Sequence, residues 1–184
     1  NDGIARRLAR RAPRGAETAR RDSDSFEILS GVFNGKTTGT PLTIVIANDD
    51  TRSADYKYGI ARPSHADYAA FCKYHGYEDY RGGGHFSGRI TAPIVAAGAI
   101  LKNALEEKGI YIATHIKSVK DISDRDFEVL ESDIKTLNST YFAVLDKSKE
   151  EEMTELIKTA RSNGDSVGGV LESIVVGMPT GVGE

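Results

Sequence analysis

The chain has 184 residues, 39% hydrophobic and 28% charged, with a net charge of −3, which suits one globular domain or a large part of one and excludes a low-complexity chain. No apolar run approaches the roughly 20 residues that span a bilayer, and the start lacks the charged, apolar, small-residue order of a signal peptide, so no membrane partner is expected. Cys72 is the single cysteine; an internal disulfide is ruled out, and a reducing cytoplasm is the simplest location.

Asp2 to Arg11 reads as a helix with Ile4 and Leu8 on one face. Seven arginines among residues 1–21 stand against Asp2 and Glu17, a local +5 that leaves −8 on the rest. An arginine-rich arm on an acidic body fits two chemistries equally: neutralising nucleic-acid phosphates, or gripping a small anion with guanidinium forks. Pro13 and Gly15 mark a loop. Residues 26–33 read as a strand, Asn34-Gly35 as a tight turn, and residues 41–47 as a second strand, together a hairpin.

Ala66 to Tyr74 reads as a helix that places Cys72 in an apolar stretch, as a buried structural thiol. After the glycine-rich run Arg81-Gly82-Gly83-Gly84-His85-Phe86-Ser87-Gly88-Arg89, Thr91 is expected to cap a helix with Pro93 in its first turn, ending near Lys108-Gly109. Residues 110–116 and 141–145 read as strands joined by a charged connection. An amphipathic helix over 149–161 uses Met153, Leu156, Ile157 and Ala160, and Asn163-Gly164 stops it before a last strand-like run over 165–176. Hairpin signals at the front and mixed elements behind favour α+β over a doubly wound parallel sheet.

Three consecutive glycines let backbone N–H groups approach an anion, and the helix that follows adds partial positive charge at its N-terminus. With Arg81, Ser87 and Arg89 alongside, an anion site and a plain flexible turn are evenly matched, and the run is neither a Walker loop nor a dinucleotide fingerprint. His65, at the entrance of a helix, has the right side chain for proton transfer near neutrality; capping or packing is its plainer role. The ten-residue spacing of His65, His75 and His85 matches no compact ligand set, so no metal is expected.

Several segments taken in order resemble the chorismate synthase family. They are Arg10-Arg11-Ala12-Pro13 with Arg20-Arg21-Asp22; Ile28-Leu29-Ser30-Gly31-Val32-Phe33 running into Thr37-Thr38-Gly39-Thr40-Pro41; Arg62-Pro63-Ser64-His65-Ala66-Asp67-Tyr68; and Asp79-Tyr80-Arg81-Gly82-Gly83-Gly84, continuing to Ala96-Ala97-Gly98-Ala99-Ile100. Two later segments, 164–169 and 177–184, look like further family motifs. Each is weak alone; the ordered set covers nearly the whole chain and is specific.

The resemblance implies a β-α-β sandwich, a homotetramer, and loss of phosphate and a ring hydrogen from 5-enolpyruvylshikimate 3-phosphate to give chorismate, with reduced FMN as cofactor. By the same resemblance His65 is the histidine beside the flavin, Arg10 and Arg11 belong to the substrate pocket, and Arg89 is an anion contact. His85, Phe86 and Ser87 occupy the flavin-binding stretch. A phosphorylated dicarboxylate explains the basic front without nucleic acid. The chain departs from the commoner Arg-Ser-Ser-Ala-Arg-Glu-Thr wording at 85–91, which changes the groups at His85, Phe86 and Ile90. The family's Gly-Glu-Ser-His-Gly motif and C-terminal half do not occur in these residues. Residues 1–184 are therefore expected to be a single partial domain, cut at both ends, with negligible turnover alone.

Overall fold

The structure is a computed structural model that describes residues 2–12, 24–49 and 51–182, with the backbone alone at His85. Expectations that fall on residues 13–23, on the His85 side chain and on 183–184 lie outside the described residues. The chain divides into two compact units, with the boundary between Ala99 and Ile100. The first carries α1 (Asp2–Arg11), β1 (Phe26–Ser30), β2 (Val32–Phe33), β3 (Lys36–Thr37), β4 (Thr43–Ile46), α2 (Asp67–Tyr74) and the start of α3 (Thr91–Glu106). The second carries the end of α3, β5 (Tyr111–Val119), β6 (Ile122–Ser123), α4 (Leu130–Ser139), α5 (Ser148–Ser162) and β7 (Gly169–Val176). The mixed α+β expectation holds, and the strand pairs are antiparallel.

In the first unit, α1 forms where expected: Asp2 in its first turn and Arg10 and Arg11 in its last complement the helix dipole, and Ile4 and Leu8, one turn apart, are buried. The strand read over 26–33 is two strands. Gly31 breaks it at φ +84°, where an added Cβ would stand 2.7 Å from Leu42 Cα and 2.8 Å from the Pro41 carbonyl oxygen. Before that break β1 pairs with β4, Phe26 opposite Ile46 and Ile28 opposite Ile44. After it β2 turns back on β3 through Asn34-Gly35, both at positive φ as a tight hairpin turn requires.

Helix α3 buries Ala92, Ala96 and Ala99, a stripe at helical spacing. Thr91 is the first residue inside this helix, and its hydroxyl donates back to the Gly88 carbonyl at 2.7 Å. The side-chain cap lies upstream, where Ser87 Oγ accepts from the Arg89 N–H. Cys72 is exposed, against the expectation of a buried thiol. Helix α2 turns Ala70 inward, and two residues further on Cys72 lies about 200° round the helix.

The second unit is built on the sheet β6-β5-β7, with β5 paired to β7 from Tyr111–Val176 to Val119–Gly169 and an irregularity between Ile116 and Ser118. Ala113 packs with Ile134, Leu137 and Leu145; Val119 packs with Val144 and Met153. The amphipathic reading of α5 is right, with Met153 fully buried. The charged connection contains α4, whose Ile134 and Leu137 face the core.

Residues 141–145 do not form a strand, because the N–H groups at the end of this segment, from Val144 on, have other partners. Leu145 and Asp146 donate to Asp124 at 2.6 and 2.8 Å, and Val144 donates to the Phe142 carbonyl. Asp124 also accepts from its neighbour Arg125 N–H, and from Nδ1 of the fully buried His115 at 2.7 Å. The other ring nitrogen of His115 meets Glu172 at 2.8 Å. Burial pushes the Asp124 carboxyl up, but the N–H donors and His115 outweigh it and hold the group below the ordinary range.

Two stability measurements follow from this packing. Gly31→Ala combines left-handed backbone with a backbone clash, so its unfolding free energy in a denaturant titration should fall by about 2 kcal/mol or more. Asp133 bonds the Arg125 fork and the N–H groups of Glu128 and Val129, and is held down to about 2, first by the Arg125 bonds. A depressed carboxyl stabilises the fold above its ordinary pKa and loses that contribution as pH falls through the folded value. Asp133→Asn should therefore lower stability at neutral pH by about 1–2 kcal/mol and flatten the loss of stability between about pH 4 and pH 2.

Candidate functional site

Two features of the first unit carry chemistry. One is a charged cluster centred on Asp24, whose side chain is 5% exposed. Arg11 closes α1 and sends Nη1 to Asp24 Oδ2 at 2.9 Å, Nε to Thr91 Oγ1 at 3.1 Å and Nη2 to the Gly88 carbonyl at 3.4 Å. Arg89 sends Nη1 to Asp24 Oδ1 and Nη2 to the Ala47 carbonyl at 2.7 Å. Ser87 helps set this geometry, because its hydroxyl accepts from the Arg89 N–H at 3.2 Å and shapes the short turn Gly88–Ile90. Two guanidinium groups thus meet on one carboxylate, and guanidinium forks are the side chains best shaped to hold an anion.

The other feature is a cavity of about 670 Å³ walled by Tyr56, Tyr58, Tyr68, Phe71, Tyr74 and Phe86. Tyr74 and Phe86 stand 6.4 Å apart, ring to ring, and Tyr58 meets Tyr80 edge-on at 5.5 Å. Arg62 lies over the Tyr56 ring and forks onto Asp67, with Nε–Oδ2 at 2.8 Å and Nη2–Oδ1 at 2.9 Å. That fork, and the Arg62 backbone N–H on the same carboxylate, hold Asp67 far below the usual carboxyl range. Gly82, Gly83 and Gly84 all have positive φ and lead into the turn Gly84–Phe86, which delivers Phe86 to the cavity wall.

The structure thus brings Arg11, Ser87 and Arg89 to one cluster and places Phe86 on the cavity. Arg10 is half-buried on the last turn of α1, and burial, followed by the charges of Arg7 and Arg6, lowers its guanidinium pKa. Arg81 is engaged by Asp79 at 2.8 and 2.9 Å, which ties it to the start of the glycine run. His65 is exposed in the turn leading into α2, between Arg62 and Asp67, both of which line the cavity. Its N–H donates to the Arg62 carbonyl at 3.3 Å across Pro63 and a left-handed Ser64 (φ +61°), a position where glycine normally stands. Among the described residues no group of three or more His, Cys, Asp or Glu is arranged to hold a metal, and no helix is long and apolar enough to cross a membrane.

Two residues escaped the sequence reading. Asp24 follows an arginine-rich stretch as one acid among several, and only its contacts distinguish it. His115 sits inside an apolar strand, and nothing in its neighbourhood signals two carboxylate partners.

Comparison with known proteins agrees with the ordered motifs. A family profile described as chorismate synthase matches residues 1–184. The chain is 44% identical over 171 residues to a chorismate synthase of Pyrococcus abyssi, covering 92% of this chain and 47% of that protein. It is 41% identical over 189 residues to a chorismate synthase of Methanobrevibacter smithii, covering 100% of this chain and 51% of that one. A solved crystal structure of chorismate synthase superimposes with a TM-score of 0.69 at 29% identity, over 97% of this chain and 49% of that chain. The chain spans about half the length of the curated relatives it matches. It belongs to the chorismate synthase family.

Proposed function

We propose that the intact protein containing this chain converts 5-enolpyruvylshikimate 3-phosphate to chorismate by 1,4-elimination of phosphate, with reduced FMN as cofactor. The observation that carries this reading is the convergence of Arg11 and Arg89 on the buried Asp24. A phosphate with two carboxylates needs several charge-assisted donors in fixed directions, and guanidinium forks supply them. Arg10, half-buried beside Arg11, adds charge to the same end of α1.

The residues around the cavity fit a flavin. Its volume lies within the range of small-molecule sites, its walls carry eight tyrosine and phenylalanine rings, and Phe86 comes from the glycine-rich segment. Phe86 would flank the ring system and the tyrosines would exclude water; His85 and Ser87 belong to the flavin-binding stretch by the resemblance alone. When bound, reduced FMN supplies the electron-rich ring that assists departure of phosphate without net redox change. By the resemblance His65 is the histidine beside the flavin, with a side chain suited to proton transfer. The left-handed Ser64 beside it is the kind of strained backbone that accompanies functional turns.

The active assembly is read as a cytoplasmic homotetramer whose remaining segments complete the site, so residues 1–184 alone should turn over negligibly. The test is anaerobic assay of the intact protein with reduced FMN and 5-enolpyruvylshikimate 3-phosphate, following chorismate by its absorbance. A folded intact protein that makes no chorismate sinks the reading. In the same assay His65→Ala should lower kcat by about 100-fold while KM changes by less than about threefold. A raised KM with kcat intact would make His65 a binding residue instead.

A further inference from the structure

Arg11 and Arg89 are held through Asp24, and the functional reading leaves this residue without a role. Its φ is +48°, a left-handed conformation that costs a non-glycine residue free energy and persists where the surroundings impose it. Asp tolerates that conformation better than most residues, because its short polar side chain bonds locally. The carboxylate gives one oxygen to each arginine, Oδ2 to Arg11 and Oδ1 to Arg89. The far side of each guanidinium is also tied, to Thr91 and Gly88 for Arg11 and to Ala47 for Arg89. Each fork is therefore fixed at more than one point, with Asp24 as the shared one.

We propose that Asp24 is a positioning residue: it orients the Arg11 and Arg89 forks for the anionic groups of the substrate and does not touch the substrate itself. This rests on the functional reading above. The geometry also separates positioning from charge balance. Two guanidinium groups side by side repel, and the shared carboxylate offsets that repulsion. A role in charge balance alone predicts that removing the carboxylate strengthens attraction for a polyanion and lowers KM. Positioning predicts the opposite, because forks that swing apart must be reordered on binding.

The test uses the intact protein with reduced FMN and 5-enolpyruvylshikimate 3-phosphate. Asp24→Asn keeps the shape and the tolerance of positive φ but loses the charge. KM should rise about tenfold or more, with kcat within about threefold of wild type. An unchanged or lowered KM overturns the proposal, as does a loss confined to kcat. In an Arg89→Gln background the same substitution should have clearly less effect on KM, because it acts through Arg89; full additivity also overturns it. If Asp24→Asn does not fold, Asp24→Glu decides, since it keeps the charge and moves it by one methylene: a raised KM supports positioning, and a wild-type KM overturns it. A folded wild-type protein with no turnover refutes the functional reading itself, and the proposal with it.

Discussion

Asp124 is fully enclosed, and an ionised carboxylate in that position is tolerable only if donors reach both of its oxygens. Three backbone N–H groups and the His115 ring do so, and they come from four places in the second unit: the strand β5, the residue after Asp124, and the successive positions 145 and 146. The segment 141–146 has β-forming side chains but gives the N–H groups of Leu145 and Asp146 to this carboxylate, so it packs Val144 and Leu145 into the core and meets β5 through one bond, from Ile116 N–H to the Ala143 carbonyl. His115 carries the constraint onward to Glu172 on β7, adding a side-chain tie to the backbone ladder between β5 and β7. Phe127 closes over the ring edge-on at 4.9 Å and keeps water from competing.

The first unit solves the same problem with a different result. Asp24 is also buried, but its donors are two arginine side chains, and arginine cannot shed its charge. Among the described residues two guanidinium groups share Asp24, where Asp124 is met by three backbone N–H groups and one imidazole. A buried acid satisfied by backbone and histidine belongs to a core; a buried acid satisfied by two forks gathers guanidinium groups in one place. Arg62 on Asp67 and Arg81 on Asp79 are intermediate cases, pairs in which one carboxylate takes one fork and the charge closes on itself. These pairs brace the aromatic cavity and the start of the glycine run.

How much of this is legible in the chain depends on the range of the interaction. Helix α1, the Asn34-Gly35 turn and the amphipathic α5 follow from neighbours within a turn or two, and each appears where the spacing places it. The break at Gly31 was hidden, because it goes with the close approach of Pro41 and Leu42, just before the partner strand β4. Cys72 was misjudged for a related reason: an apolar neighbourhood in sequence does not say which side of a helix meets the core. Helix α4 was missed because Glu131, Asp133 and Lys135 make the segment look like a solvated linker, while its buried face consists of Ile134, Leu137 and Asp133 itself.

The sequence by itself determined the family, through motifs whose order and spacing survive without any structure, and it singled out Arg11 and Arg89 as separate basic positions. It also determined the local elements whose stability comes from neighbouring residues. Only the tertiary structure decided that those two arginines meet on Asp24, that His115 bridges two acids, and that the aromatic residues from 56 to 86 wall one cavity. The physical reason is the same in each case. A carboxylate's partners and a cavity's walls are set by which surfaces packing brings together, and pairing over long sequence distances leaves no periodic trace in the chain.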